Sequence, residues 1–343
     1  MTDISALAES PRSTQPTTFR GARTALLRRF RELALVPALV ALVVLGGLVN
    51  DTFLTKANLI SILGSSAALA LVTLAASLIL IGGKFDLSLE STVGIAPALG
   101  AMVVLPASAA GFGIELPSAV GLLIMLVAGA VIGAVNGFLV VKLQLNAFIV
   151  TLAMLIVLRG LQVGMTEGKT LFEMPESFFT LATSTFLEVP LSVWLAAAAF
   201  AIAGFVLRHH RVGRALYAIG GNPAAARTAG IRVDRVLMGV YIVGGALAAL
   251  GGLVLTGYVG AISPNQGDGM IFTVFAAAVI GGISLDGGKG TMTGALTGVL
   301  LLGVVQNLLT LAQVKPFWIQ AIYGGIILVS LMVSRLTSGK AQD

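Results

Sequence analysis

The residues best able to do chemistry are few, and their spacing argues against catalysis. His209 and His210 are adjacent in a basic stretch between Arg208 and Arg211. They therefore lack the i, i+4 spacing that sets two imidazoles on one helix face around a metal, and are read as solvated loop residues. Cysteine is absent, which removes thiolate ligands, disulfides and Cys nucleophiles. Gly287-Gly288-Lys289-Gly290-Thr291 looks like a phosphate-cradling loop at first sight. Such a loop needs a Gly five positions before the Gly preceding its Lys, and a Ser or Thr directly after the Lys. Ile283 and Gly290 stand in those places, so ATP hydrolysis through this segment is excluded. No catalytic constellation, metal site or cofactor is expected, and the chain is not read as an enzyme.

What remains is polar chemistry inside apolar runs. Arg159 lies deep in one such run, where a guanidinium is costly and faces a bundle interior or snorkels toward headgroups. Asn136, Asn146, Gln306 and Asn307 sit within or at the ends of others; there an amide bonds between helices or meets a polar solute.

The elements that must position these groups are membrane helices. Of 343 residues, 57% are apolar and 10% charged, with a mean hydropathy of +1.00. Soluble domains carry about 25% charged residues. A bilayer crossing takes about 20 apolar residues. Ten runs qualify, near 33–49, 59–82, 87–105, 118–141, 146–165, 191–207, 236–257, 269–283, 291–312 and 317–335. The eighth is short and is expected to be broken or re-entrant, as transporter helices are where backbone lines a cavity. The expected fold is all-α: a polytopic membrane bundle of about ten helices at 33–336, with tails at 1–32 and 337–343.

With the amino terminus inside, 17 of the 21 Lys and Arg fall on the inner side and three outside, with Arg159 in a span. This obeys the positive-inside rule. Both termini and the basic loop 208–235 are thus expected in the cytoplasm, and the basic net charge of +6 reports orientation rather than nucleic-acid binding. The expected location is a bacterial inner membrane, without a removable signal peptide.

Small residues pattern the packing. Gly129, Gly133 and Gly137 form one ridge and Gly290, Gly294 and Gly298 another; both are expected to serve packing within the chain. Ile81-Gly82-Gly83, followed by Asp86 and Ser88, faintly repeats in Ile280-Gly281-Gly282, followed by Ser284 and Asp286, the kind of internal likeness that duplicated transporter halves leave. In the basic loop, Asn222 can cap a helix that starts at Pro223, runs through Ala224, Ala225, Ala226 and Arg227, and ends by Gly230.

Taken in order, several segments resemble the permease subunits of ribose-type ABC importers: Asp51-Thr52-Phe53-Leu54-Thr55 with Asn58-Leu59, Asp86-Leu87-Ser88, Asn136-Gly137, Phe148-Ile149-Val150-Thr151-Leu152, the loop 212–231, and Gly281 to Gly290. The resemblance covers nearly the whole chain from about residue 33. It implies a permease for a monosaccharide or similar small polar solute that dimerises with itself or a relative, binds a cytoplasmic ABC ATPase through 222–231, and receives solute from an extracytoplasmic binding protein. It also implies that Asp86, Ser88, Asn136, Asn146, Phe148 and Thr151 belong to the translocation path or its gate. Two departures are Lys84 and Glu90, where members of that family have Gly; these charges are expected to pair with each other or with Asp86 at the cytoplasmic boundary. The alternatives are a permease of the same superfamily for polyols, nucleosides or branched-chain amino acids, or an ion-coupled secondary transporter. The last would need buried carboxylates, and none is expected mid-span.

Overall fold

Which runs are long enough to cross a bilayer, and which are not, sets the architecture. The computed structural model describes residues 35–315 and isolated positions between 318 and 332. The tail 1–32, most of the tenth apolar run and the tail 337–343 lie outside the described residues. The other nine runs are helices: α1 Val36–Val49, α2 Lys56–Ile81, α3 Leu89–Met102, α4 Ser118–Gly137, α5 Ala147–Met165 and α6 Leu191–His209, then, after α7 Arg211–Gly221 and α8 Pro223–Thr228, α9 Val233–Val259, α10 Met270–Ile280 and α11 Met292–Leu311. A π-turn, Phe138–Lys142, prolongs α4. Among the described residues, the only strands are Thr185–Phe186 and Val189–Pro190, a short hairpin.

The class is the expected all-α membrane bundle, and nine of the ten expected runs fall among the described residues as helices, not all of them long. Among the described residues, six helices, α2, α4 with its π-turn, α5, α6, α9 and α11, are long and apolar enough to cross. α1 and α3 have 14 residues and α10 has 11. At 1.5 Å per residue these fall short of a hydrocarbon core of about 30 Å.

α2 and α9 form the centre. Some 72% of the most apolar window of α2 is buried, against 17% for α5, so α5 turns most of its surface to lipid or a partner. Glycine lets α9 approach α4: a methyl on Gly129 would stand 2.5 Å from the Gly245 carbonyl oxygen, and one on Gly133 would overlap that of Tyr241. In the second ridge, Gly294 and Gly298 meet Gly281 and Ala277 across the α10–α11 contact, while Gly290 lies before α11. Both ridges thus serve packing within the chain.

The faint repeat has a structural counterpart. After α2, the amides of Gly82, Gly83 and Lys84 donate to the carbonyls of Leu78, Leu80 and Ile79; after α10, those of Gly281, Gly282 and Ile283 donate to Ala277, Val279 and Ala278. The second glycine of each pair is left-handed, at φ +71° in Gly83 and +81° in Gly282. Both helices therefore end in the same Schellman-type cap, and each is followed by non-helical chain.

α10 is short because its approach is unwound. From Gly260 to Gly269 the chain is non-helical, and Ile262 pairs with Leu171 before Gln266 reaches Val93 and Gly252 in the bundle. Backbone without helical hydrogen bonds needs other polar partners away from water. Arg159 donates to the Gln266 carbonyl at 2.9 Å, Gln162 to that of Ser263 at 3.0 Å, and the Ile271 amide donates to Glu90 at 3.1 Å. The eighth run is itself one short, uninterrupted helix; the non-helical chain lies before it.

Candidate functional site

The first candidate surface is the α7–α8 turn between α6 and α9. His210 caps α7 by accepting from the Val212 amide, and Asn222 caps α8 by accepting from the Ala225 amide at 3.0 Å. His209 sits in the last turn of α6, stacked on Phe205. The histidines therefore terminate helices rather than float in a loop. α8 ends at Thr228, and Gly230 turns the chain at φ +81°. Of the residues proposed to contact an ATPase, Asn222, Pro223, Ala224, Ala225, Arg227 and Gly230 are exposed, and Ala226 is the buried foot. Arg227 meets Asp234 at 3.1 Å and Lys142 meets it at 3.4 Å, tying α8 to the start of α9 and the end of α4. The α7 helix was not foreseen; its strongly amphipathic spacing of Leu216 and Ile219, both buried, was the available signal.

The second candidate is a buried polar cluster where the break between α2 and α3 meets α4. Asp86 accepts from the Ser88 amide at 3.0 Å and its hydroxyl at 2.7 Å. Asn136 donates to the Ser88 hydroxyl at 2.6 Å and to the Asp86 carboxylate at 3.3 Å, and Tyr241 closes the group through the Phe85 carbonyl at 2.9 Å. A carboxylate beside the start of α3 also lies at the positive end of that helix's dipole. All three of Asp86, Ser88 and Asn136 are buried. The other three residues named for the path are elsewhere: Asn146 caps α5 from an exposed position, Phe148 is half exposed, and Thr151 is buried with its hydroxyl on the Ala147 carbonyl. The six thus form one cluster of three and a separate set on the first turns of α5.

Glu90 contradicts its expected pairing. It is 4% exposed, its carboxylate lies 3.4 Å from Arg159, and it also takes the Ile271 amide; among the described residues Lys84 forms no ion pair. The physical reason is direction: Glu90 is in the first turn of α3, facing α5 and α10, whereas Lys84 belongs to the cap of α2. With Asp86, it places two buried carboxylates at the break before α3 and in that helix's first turn. Arg159 is held inward by Glu90 and the Gln266 carbonyl, with Asp268 at 3.9 Å. Gln266 itself donates toward Val93, Gly252 and Thr256. Sequence reasoning missed Gln162 and Gln266; Arg159 and Gln162 at i, i+3 mark one polar helix face and were the signal for the first. Among the described residues no group of three His, Asp or Glu could hold a metal ion.

These features can be set beside known proteins. A family described as branched-chain amino acid transport system / permease component matches residues 58–331. The chain is 34% identical over 300 residues to the ribose import permease protein of Escherichia coli K12, covering 86% of this chain and 91% of that protein. It is 33% identical over 280 residues to the L-arabinose ABC transporter permease protein of Azospirillum brasilense, covering 82% and 80%. It is 35% identical over 307 residues to the autoinducer 2 import system permease protein of Klebsiella pneumoniae, covering 90% and 87%.

Proposed function

Because the chain belongs to the branched-chain amino acid transport system / permease component family, among relatives that import sugars, we propose that it is the membrane subunit of an ATP-driven monosaccharide importer, coupled through α8 to a separate ATPase. The observation that carries the coupling is α8 itself. It is a short helix, capped at both ends, exposed on all faces but Ala226 and braced on α9 through Arg227 and Asp234. Exposed and stiff, it is suited to be pushed.

On this reading α8 faces the cytoplasm, in line with the excess of Lys and Arg at that end. The termini share that side, a binding protein delivers solute to the opposite face, and two permease chains, alike or different, form the path. Asp86, Ser88 and Asn136 brace the break before α3 and act on the gate through it; Asn146, Phe148 and Thr151, at the start of α5, lie nearer the exposed face available to the partner permease. Buried carboxylates alone would favour ion coupling, but Asp86 is engaged by Ser88 and Asn136, and Glu90 by Arg159 and the Ile271 amide, which leaves neither an obvious ion site.

The test is reconstitution in proteoliposomes with an ATPase and a binding protein encoded beside it, using ribose, L-arabinose and other monosaccharides. Uptake that needs ATP and the binding protein is expected. Uptake that survives ATP depletion and collapses with an ion gradient would refute the proposal.

A further inference from the structure

We infer that Gly220, with Gly83 and Gly288, is a positioning residue that passes movement of the α7–α8 turn to both broken segments of the bundle at once; this rests on the ATP-coupled reading above. Three stretches of backbone meet there: the last turn of α7 at Gly220, the cap of α2 at Gly82–Gly83, and the turn 284–290 between α10 and α11. A methyl on Gly220 would overlap the Ile81 carbonyl oxygen and the Gly288 amide. One on Gly287 would lie 2.7 Å from the Gly83 Cα and 2.8 Å from the Gly220 carbonyl oxygen, and one on Gly288 3.1 Å from the Gly220 carbonyl carbon. Gly287 and Gly288 are also left-handed, at φ +88° and +67°, so the turn holds this shape only with glycine.

The contact is bonded as well as close. The cap of α2 uses the carbonyls of Leu78, Ile79 and Leu80, and the next one, Ile81, accepts from the Gly288 amide at 2.9 Å. One turn earlier in α7, the Tyr217 hydroxyl donates to the Gly290 carbonyl at 2.8 Å. Asn222, the cap of α8, is two residues beyond Gly220. Closely packed interiors transmit displacement because they compress little, and at this joint backbone presses on backbone, without the slack of a rotatable side chain. One side of the joint is the segment that carries Asp86 and Ser88 into α3; the other is the cap of α10, whose opposite end is held by Glu90. A shift of α7 thus reaches the corresponding breaks in both halves of the repeat.

The experiment uses the full permease with its ATPase and binding protein in proteoliposomes, measuring solute moved per ATP hydrolysed for the parent, Gly220→Ala, Tyr217→Phe and Gly239→Ala. Gly239 is the control, since a methyl there meets nothing within 4 Å. Gly220→Ala is expected to lower the ratio by about tenfold while hydrolysis continues, and Tyr217→Phe by about fivefold, with Gly239→Ala at the parental ratio. If Gly220→Ala does not accumulate in the membrane, Tyr217→Phe decides. Parental ratios in both Gly220→Ala and Tyr217→Phe, or in Tyr217→Phe alone when it decides, overturn the inference and leave the importer reading standing. A parent that moves no solute on ATP overturns the importer reading instead.

Discussion

Removing the Glu90 carboxylate by Glu90→Ala disturbs two interactions at once. Arg159, with its side chain 17% exposed, keeps only the Gln266 carbonyl at 2.9 Å and the remote, 73% exposed Asp268 at 3.9 Å. The Ile271 amide at the start of α10 loses its acceptor. Breaking one side of a buried ion pair costs about 3–5 kcal/mol, and an orphaned buried donor about 1–3 kcal/mol. The two overlap and Asp268 offsets part of the first, so a loss of about 4 kcal/mol is expected. Adding Arg159→Met removes the stranded cation and leaves only the backbone groups unpaired, so the double variant should be less destabilised than Glu90→Ala, at about 2 kcal/mol. The assay is reversible unfolding of purified protein in mixed micelles with increasing SDS, followed by loss of helicity, for the parent, both single variants and the double. A double-variant loss equal to the sum of the single losses within about 0.5 kcal/mol would refute the coupling of these residues.

Other outcomes test other parts of the reasoning. Asn222→Ala removes the cap of α8 and should destabilise that helix by about 1 kcal/mol, seen as faster amide exchange across 223–228. Arg227→Ala breaks an exposed ion pair worth about 1 kcal/mol or less, so the protein should stay folded in the membrane while ATP hydrolysis and uptake separate; deleting 223–229 should do the same more completely, and normal uptake in either would count against α8 as the coupling element. Gly133→Leu forces α4 away from the Tyr241 carbonyl and should abolish folded protein on size-exclusion of detergent extracts, whereas Gly164→Leu, at a site open to its surroundings, should not. Asn58→Leu breaks a reciprocal amide pair with Asn307, at 3.0 and 2.8 Å, and should cost about 0.6–1.7 kcal/mol in the same SDS titration.

The sequence was most legible where one signal decides. Long apolar runs declare helices, a Gly every fourth residue declares a close crossing, and Asn222-Pro223 before three alanines declares a capped helix start. Partner choice was less legible. Glu90 stands six residues from Lys84, yet the turn of chain through Gly82–Ser88 sends the two toward different neighbours, and Glu90 finds Arg159, 69 positions away. Linear proximity has little bearing once a segment unwinds. Gln266 was silent for a related reason: it lies in non-helical chain, where no period reveals which face is buried. The resemblance implied the six path residues together, and it did not separate the interior trio of Asp86, Ser88 and Asn136 from the group on the first turns of α5.

The unwound approach to α10 bears on how the chain is built. Eleven residues reach about 16 Å as a helix, too little for this segment to settle across a bilayer as an independent hydrophobic stop. The side chains that satisfy its backbone, Glu90, Arg159 and Gln162, are all synthesised before it. α10 is therefore expected to seat only once α3 and α5 are in place, guided by protein contacts rather than by its own apolar length. Defects at those earlier positions should surface during biogenesis as a permease whose last helices fail to seat, even where every long helix has crossed correctly.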